Sequence, residues 1–241
     1  MLTSFDCVPR SERIAVALDC PADTARVIAK ELAGKAAWLK VGMTLYYEQG
    51  PSIVQEFKDM GFKVFLDLKL HDIPHQVQGA AAVATQAGAD MLTVHASGGM
   101  AMMQAAQQGA HDAAASLGVA NPVILGITVL TSFDEATLAQ IGVSRPVADQ
   151  VESLAKLALD AGIDGVVSSP QEAHGLRSLL GTSAYIVTPG VRPEGSSLGD
   201  QSRVATPVQA FDAGASHLVI CRPITGAQDY AQAWHKIAKE L

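Results

Sequence analysis

The sequence has 241 residues, of which 49% are hydrophobic, and its formal net charge is −7 at pH 7. An acidic chain lacks the basic surface that general nucleic-acid binding requires, so we expect no nucleic-acid partner. No uninterrupted apolar run reaches membrane-spanning length and residues 1–13 lack the apolar core of a signal peptide, so we expect no membrane partner. Cys7, Cys20 and Cys221 have no paired or metal-type spacing, which favours a reducing compartment and predicts a cytoplasmic protein.

Short apolar segments alternate with longer helical patterns after a polar lead-in over residues 1–13. The apolar segments predict strands at 14–19, 37–41, 63–70, 91–95, 123–128, 165–168, 184–188 and 217–220. The helical patterns lie at 22–33, 51–60, 76–87, 100–116, 134–161 (broken near Arg145-Pro146), 170–180, 207–213 and the end of the chain. The glycines expected to end helices just before strands are Gly61, Gly88, Gly162 and Gly214.

This alternation predicts the fold class. Strands that alternate with helices form parallel βαβ units, and eight units are typical of a closed (β/α)8 TIM barrel, an α/β fold. We therefore expect residues 14–241 to form a single (β/α)8 barrel domain. The alternative is an open doubly wound sheet, which usually carries a Gly-rich turn after its first strand. Here that turn reads Asp19-Cys-Pro-Ala-Asp23.

The third strand carries the densest group of charged residues. Alternation of side chains places Phe65, Asp67 and Lys69 on one face. Asp72 follows in the turn before Pro74, and proline disfavours helix at the residue before it. The alternative to a functional site is a structural ion pair at the strand end. Buried charge is costly unless paired, and so dense a cluster exceeds what a scaffold needs.

Polar residues recur at the carboxyl ends of the predicted strands, where the active sites of such barrels lie. They are Asp19, Lys40, Asp67, Lys69, His95, Thr128, Thr131, Arg192 and Arg222. This recurrence around the ring predicts an active site.

The loops after strands 7 and 8 predict a phosphate site. They contain Pro189-Gly-Val-Arg192, Gln201 and Cys221-Arg-Pro-Ile224. Arginine suits bidentate phosphate contact, and glycine lets backbone N–H groups approach an anion. Residues 193–202 form a long polar segment that we expect to close as a lid, with an ordinary solvated loop as the alternative.

The order of charges limits the chemistry. Carboxylates next to a lysine favour its ammonium form, whereas a Schiff-base lysine needs an apolar or cationic setting. Lys69 is therefore suited to donate a proton or to stabilise negative charge. His71 and His75 are four residues apart with Pro74 between them, so we expect no metal site. No dinucleotide or P-loop glycine motif and no nucleophile elbow is present, and we expect no cofactor.

The sequence resembles the bacterial type of orotidine 5'-phosphate decarboxylase over nearly its whole length. The most specific match is Asp67-Leu-Lys-Leu-His-Asp-Ile-Pro74. Supporting matches are Val16-Ala-Leu-Asp19, Leu39-Lys-Val-Gly42, Thr188-Pro-Gly-Val-Arg192, Asp200-Gln201 and Arg222-Pro-Ile224. The resemblance implies decarboxylation of orotidine 5'-monophosphate to uridine 5'-monophosphate, the last step of pyrimidine synthesis de novo, without cofactor or metal.

The resemblance also implies residue roles. Lys69 would protonate C6 of the pyrimidine, and Asp67 would lie beside the departing carboxylate. Asp72 would reach into the site of the partner subunit in a homodimer. It would there complete a Lys40-Asp67-Lys69-Asp72 array. Lys40 would bridge the ribose and Asp67. The other residues implied to bind substrate are Asp19, His71, Ile73, Thr131, Pro189, Arg192, Gln201, Cys221 and Arg222.

Two readings compete with this one, and one residue departs from the family. A related branch of the superfamily uses magnesium to act on sugar phosphates, in decarboxylation or aldol chemistry, and a non-catalytic nucleotide binder would keep the same barrel. The family usually has glycine where this chain has Cys221. If that position requires a positive φ, the cysteine backbone would be strained and phosphate affinity lowered.

Overall fold

The structure is a computed structural model that describes residues 3–193 and 205–241. Within these residues, parallel strands β1 to β8 close into a barrel in chain order, with β8 paired to β1. The strands are β1 (Ile14–Ala17), β2 (Trp38–Gly42), β3 (Lys63–Leu70), β4 (Met91–His95), β5 (Val123–Ile127), β6 (Gly165–Val167), β7 (Tyr185–Thr188) and β8 (His217–Ile220). The predicted (β/α)8 barrel is confirmed.

The helices surround the barrel. They are α1 (Ala22–Leu32), α2 (Met43–Gln49), α3 (Ser52–Asp59), α4 (Pro74–Gln86), α5 (Met100–Leu117), α6 (Glu135–Gln140), α7 (Val147–Asp160), α8 (Ala173–Leu180), α9 (Pro207–Asp212), α10 (Arg222–Thr225) and α11 (Tyr230–Lys239). The break predicted near Pro146 separates α6 from α7. The sequence patterns missed α2 and α10, because seven and four residues are too few to display a helical period.

The four glycines that precede strands adopt the left-handed conformation that ends a helix. Their φ angles are positive at Gly61, Gly88, Gly162 and Gly214. A residue with a Cβ atom would be strained there, so glycine allows each helix to turn directly into the next strand. This prediction is confirmed.

Alternate residues of the strands face opposite sides of the barrel wall. On β1, Ile14 and Val16 pack into the layer between strands and helices, whereas Ala15 and Ala17 belong to a separate cluster inside the barrel. That inner cluster also contains Trp38, Phe65, Met91, Leu125, Val187 and Val219. The barrel is therefore filled with side chains below the site.

The pairing of β3 with β4 is irregular where the charged residues begin. Leu66 pairs with Leu92 and Leu70 with Val94, so three β3 residues, 67–69, lie opposite the single residue Thr93. Lys69 has a φ of 52° and is the only non-glycine residue with a positive φ in the described part of the chain. Simple alternation therefore does not account for the end of β3, which contains a bulge.

Part of the lead-in covers the opposite end of the barrel. Phe5 is buried and its ring lies edge-on to Tyr185, with centroids 4.8 Å apart, and to His217 at 5.9 Å. Tyr185 and His217 are the first residues of β7 and β8. The aromatic ring of Phe5 therefore closes the amino-terminal end of the strands.

Candidate active site

A cavity of about 520 Å³ opens at the carboxyl ends of the strands. The predicted site residues that line it are Asp19, Lys40, Asp67, Lys69, Thr131, Pro189, Arg192, Cys221 and Arg222. Gly42, Met43 and Thr44, at the end of β2 and the start of α2, also line it but were not predicted as site residues. The structure therefore brings predicted residues from six of the eight strand ends into one cavity.

Four charged side chains form a continuous chain of ion pairs in this cavity. The ammonium of Lys40 lies 3.0 Å from Asp19 Oδ1 and 3.3 Å from Asp67 Oδ2. The ammonium of Lys69 lies 2.8 Å from Asp67 Oδ1. Negative and positive groups therefore alternate from β1 to β3. Each interior member has a partner on both sides, which makes the burial of these charges tolerable.

Burial and pairing oppose each other at the two inner members of the chain. Burial alone would lower the pKa of Lys40, but the charges of Asp67 and Asp19 outweigh it and raise the pKa above its usual value. Burial alone would raise the pKa of Asp67, but Lys40 and Lys69 outweigh it and lower the pKa. Lys40 and Asp67 are therefore both charged at neutral pH.

Lys69 is the more accessible of the two lysines. Its side chain is 28% exposed, against 8% for Lys40. A molecule in the cavity can reach the Lys69 ammonium, while Lys40 mainly connects two carboxylates. Lys69 can therefore act as a proton donor, and Lys40 can hold Asp19 and Asp67 in place.

Thr93 is a site residue that the sequence did not reveal. Its hydroxyl accepts a hydrogen bond from the Lys69 backbone N–H and donates one to Asp67 Oδ1, both at 2.9 Å. A threonine inside a strand is ordinary in a sequence, since β-branched residues favour strands. Only the register of β3 against β4 distinguishes Thr93 from an ordinary threonine in a strand.

The predicted phosphate residues line the same cavity at the ends of β7 and β8. Arg192 is buried, and its guanidinium donates to the carbonyl of Val191 at 2.9 Å. Cys221 has a φ of −114°, which lies outside the left-handed region. The backbone strain that a positive φ would cause at this cysteine is therefore absent. Gln201 and residues 194–202 of the predicted lid lie outside the described residues.

Among the described residues implied to bind substrate, three do not line the cavity of this chain: His71, Asp72 and Ile73. The strand-end residues His95 and Thr128 do not line it either. The Asp72 side chain is exposed, and its Oδ1 accepts a hydrogen bond from the Ile73 N–H at 2.6 Å. Ile73 is 63% exposed. The ring of His71 packs against that of His95, with centroids 5.1 Å apart. The turn after β3 thus places these groups outside the lining of the chain's own cavity.

Two features of the described residues bear on other functions. In residues 3–193 and 205–241, no three His, Cys, Asp or Glu side chains are grouped so that they could hold a metal ion. The expectation that no metal takes part stays a prediction. Over the same residues, every helix is too short or too polar to cross a membrane.

The fold and the cavity define a (β/α)8-barrel protein with a charged site at the carboxyl ends of its strands. A family model described as orotidine 5'-phosphate decarboxylase / HUMPS family matches residues 12–237. The chain belongs to this family.

Curated relatives and solved structures agree with this assignment. The chain is 48% identical to the orotidine 5'-phosphate decarboxylase of Moorella thermoacetica over 95% of this chain and 92% of that protein. It is 47% identical to that of Halorhodospira halophila over 97% and 98%. The crystal structure of orotidine 5'-phosphate decarboxylase from Lactobacillus acidophilus is similar, with a TM-score of 0.85 at 37% identity, over 95% of this chain and 98% of that one.

Proposed function

We propose that Lys69, Asp67, Lys40 and Asp72 carry out the reaction of this protein. That reaction is the decarboxylation of orotidine 5'-monophosphate to uridine 5'-monophosphate and carbon dioxide, the last step of pyrimidine synthesis, and the protein is a carboxy-lyase. The observation that carries the proposal is the chain of ion pairs from Asp19 through Lys40 and Asp67 to Lys69, whose two inner members are largely buried. The sugar-phosphate alternative is not favoured, because the relatives described above are named for the nucleotide.

In the proposed reaction, Asp67 faces the carboxylate of the substrate. The low pKa of Asp67, set by Lys40 and Lys69 against the effect of burial, keeps its negative charge in place at neutral pH. The bond between C6 and the carboxylate breaks, and carbon dioxide leaves as a neutral molecule. The electron pair stays on C6, where the Lys69 ammonium stabilises it and donates the proton that completes the product.

The rest of the cavity would bind the nucleotide. Arg192 and Arg222 suit a phosphate, because guanidinium groups contact phosphate oxygens through two parallel hydrogen bonds. Backbone groups of the Pro189 and Cys221 segments, together with Gln201, would complete that end. Asp19 and Lys40 would hold the ribose hydroxyls. Thr131 lies on the wall and would contact the base or ribose.

We also propose a homodimer in which Asp72 enters the site of the partner. Asp72 and Ile73 are exposed and lie outside the cavity of their own chain, which supports a role across an interface. Met43, 46% exposed, lines the cavity, and Tyr47, 78% exposed, follows on the same helix α2; both supply exposed apolar area. His71 would approach the substrate from the same turn. We propose further that the enzyme works in the cytoplasm without cofactor, metal, nucleic acid or membrane.

The test of the reaction follows the absorbance of orotidine 5'-monophosphate with purified protein in excess EDTA. Lys69→Ala is the key variant, and Lys58→Ala is the matched control, because Lys58 pairs with Asp90 away from the cavity. Conversion that Lys69→Ala abolishes and Lys58→Ala retains supports the proposal. Activity that appears only with a sugar phosphate as substrate and with added magnesium would assign the protein to the related branch of the superfamily. Binding without turnover would remove the enzyme claim.

The shared site has its own experiment. Lys69→Ala subunits and Asp72→Ala subunits, each inactive alone, are mixed and allowed to exchange. Mixed dimers would contain one site with both residues intact, so part of the activity should return. No recovery, with mixed dimers shown to form, would reject the role of Asp72 across the interface.

A further inference from the structure

We propose that Thr93 is a positioning residue for the decarboxylation, because its hydroxyl fixes the backbone of Lys69 and the carboxylate of Asp67 in one geometry. The proposal rests on the roles assigned above to Lys69 and Asp67. Thr93 does not line the cavity and is fully buried, so it does not touch the substrate. Its effect on the reaction must pass through those two residues.

The register of the barrel wall explains why a hydroxyl is needed at this point. Residues 67–69 of β3 lie opposite Thr93 alone, so the regular ladder of backbone hydrogen bonds is interrupted there. The Lys69 backbone N–H instead donates to Thr93 Oγ1 at 2.9 Å. A buried N–H group without a partner is costly, so the side chain of β4 replaces the backbone partner that the bulge removes.

The same hydroxyl completes a closed ring of hydrogen bonds. Its proton is donated to Asp67 Oδ1 at 2.9 Å, and that oxygen also accepts from the Lys69 ammonium at 2.8 Å. The ring thus runs from the Lys69 backbone through Thr93 and Asp67 to the Lys69 ammonium. The two ends of one lysine are held against the same carboxylate oxygen.

This ring accounts for the unusual backbone of Lys69. A φ of 52° is unfavourable for a residue with a Cβ atom, and such conformations persist only where the surroundings enforce them. The bond to Thr93 is an interaction that enforces it. Thr93 also affects the charge of Asp67. Burial raises the pKa of Asp67, but the positive charges of Lys40 and Lys69 outweigh that effect. The hydrogen bond from the Thr93 hydroxyl lowers the pKa further.

The test compares Thr93→Val with Thr93→Ser in the full-length protein. Valine keeps the shape and loses both hydrogen bonds, whereas serine keeps the hydroxyl. Thr85→Val is the matched control, since Thr85 is buried and its hydroxyl donates to Ala81 within α4. Steady-state kcat and KM, the pH profile of kcat, the thermal midpoint of unfolding and the affinity for uridine 5'-monophosphate are measured for each.

We expect Thr93→Val to lower kcat by about 10- to 100-fold, the range typical of losing a hydrogen bond to a charged group. KM and product affinity should change less than about threefold, because the phosphate end is untouched. The acid limb of the pH profile should move to higher pH, as Asp67 loses a donor. Thr93→Ser should retain kcat within about threefold, and Thr85→Val should match the unmodified enzyme.

Several results would overturn the inference. One is a Thr93→Val enzyme with unchanged kcat and pH profile; another is a loss of kcat that serine does not restore. A fall only in the thermal midpoint, with normal kcat per folded molecule, would reduce Thr93 to a structural role. If Thr93→Val does not fold, Thr93→Ala removes the same hydroxyl in a smaller side chain. Lys69→Ala is measured alongside, because activity that survives in that variant would reject the proposed catalytic roles rather than the role of Thr93.

Discussion

The two ends of the barrel bury basic side chains to the same extent but leave them in different charge states. Counted over the whole residue, Lys40 at the carboxyl end is 6% exposed and His217 at the amino end is 7% exposed. Burial lowers the pKa of His217 to about 3, with further lowering from the positive charges of Arg13 and Lys63. The pKa of Lys40 is instead raised, because two carboxylates outweigh the same effect of burial.

The comparison shows that partners, rather than depth, decide whether a buried group stays charged. At the amino end, His217 is surrounded by the rings of Phe5, Trp38 and Tyr185. It is neutral there, and that end contributes packing. At the carboxyl end, the ion pairs keep charges in place beside an open cavity. The packed end and the charged cavity thus lie at opposite ends of the barrel, as in other barrels of this class.

The largest expected effect comes from removing the carboxylate at the centre of the ion pairs. Asp67→Asn should lower kcat by about a thousandfold, because the proposed mechanism then lacks the negative charge beside the substrate carboxylate and Lys69 loses its partner. The pKa of Lys40 should fall, since burial would then be opposed by Asp19 without the charge of Asp67. Single-turnover kinetics measure the loss.

Asp90→Asn is the control for that variant. Asp90 also pairs with a lysine, Lys58, at 2.6 Å, but it precedes β4 at the amino end. The kcat of the Asp90→Asn enzyme, per folded molecule, should stay within about threefold of the value for the unmodified enzyme. Equal losses in the two variants would contradict the division between the ends.

A second prediction concerns acid stability at the amino end. The unfolded chain binds a proton at His217 near pH 6.5, and the folded chain only near pH 3. The unfolded state therefore holds more protons in this window, and stability falls as the pH is lowered from 6.5, by about 1.4 kcal/mol per pH unit. His217→Phe should remove this dependence.

Urea unfolding at pH 6.5 and pH 4.5 measures this loss of stability. The unmodified protein should lose about 2–3 kcal/mol more between these values than His217→Phe does. Parallel losses in the two proteins would mean that His217 is not held neutral by its surroundings.

The smallest expected effect tests the close packing at the carboxyl end. A Cβ atom at Gly42 would lie 2.9 Å from Asp19 Oδ1 and 3.3 Å from the Lys40 ammonium. Gly42→Ala should lower kcat/KM by about tenfold by displacing these groups. Stability should change by less than about 1 kcal/mol, because the φ of −90° suits alanine.

Gly175→Ala provides the comparison for Gly42→Ala, since a Cβ atom at Gly175 in α8 meets nothing within 4 Å. It should leave kcat/KM unchanged. If Gly42→Ala also kept full activity, the ion pairs would have room to move, and the geometry described for them would not limit the rate.

Much of the fold follows from local patterns in the sequence. The bounds predicted for the third, fourth and eighth strands match β3, β4 and β8, because apolar segments between turn residues are recognisable alone. Once the strands are located, the charged residues at their ends can also be read directly from the sequence. The bulge opposite Thr93 was not, because it depends on how β3 pairs with a strand formed more than 20 residues later. The covering of the barrel end by Phe5 likewise depends on residues distant in sequence.

The pairing of β1 with β8 has a consequence for how the chain acquires its structure. Ile14 pairs with Leu218, so a strand near the start of the sequence meets one near its end in the closed ring. During synthesis, β1 therefore remains an unpaired edge on one side until β8 has been made. Edges of this kind promote association between chains. We expect closure of the ring to be a late folding event, limited by contacts of long sequence separation.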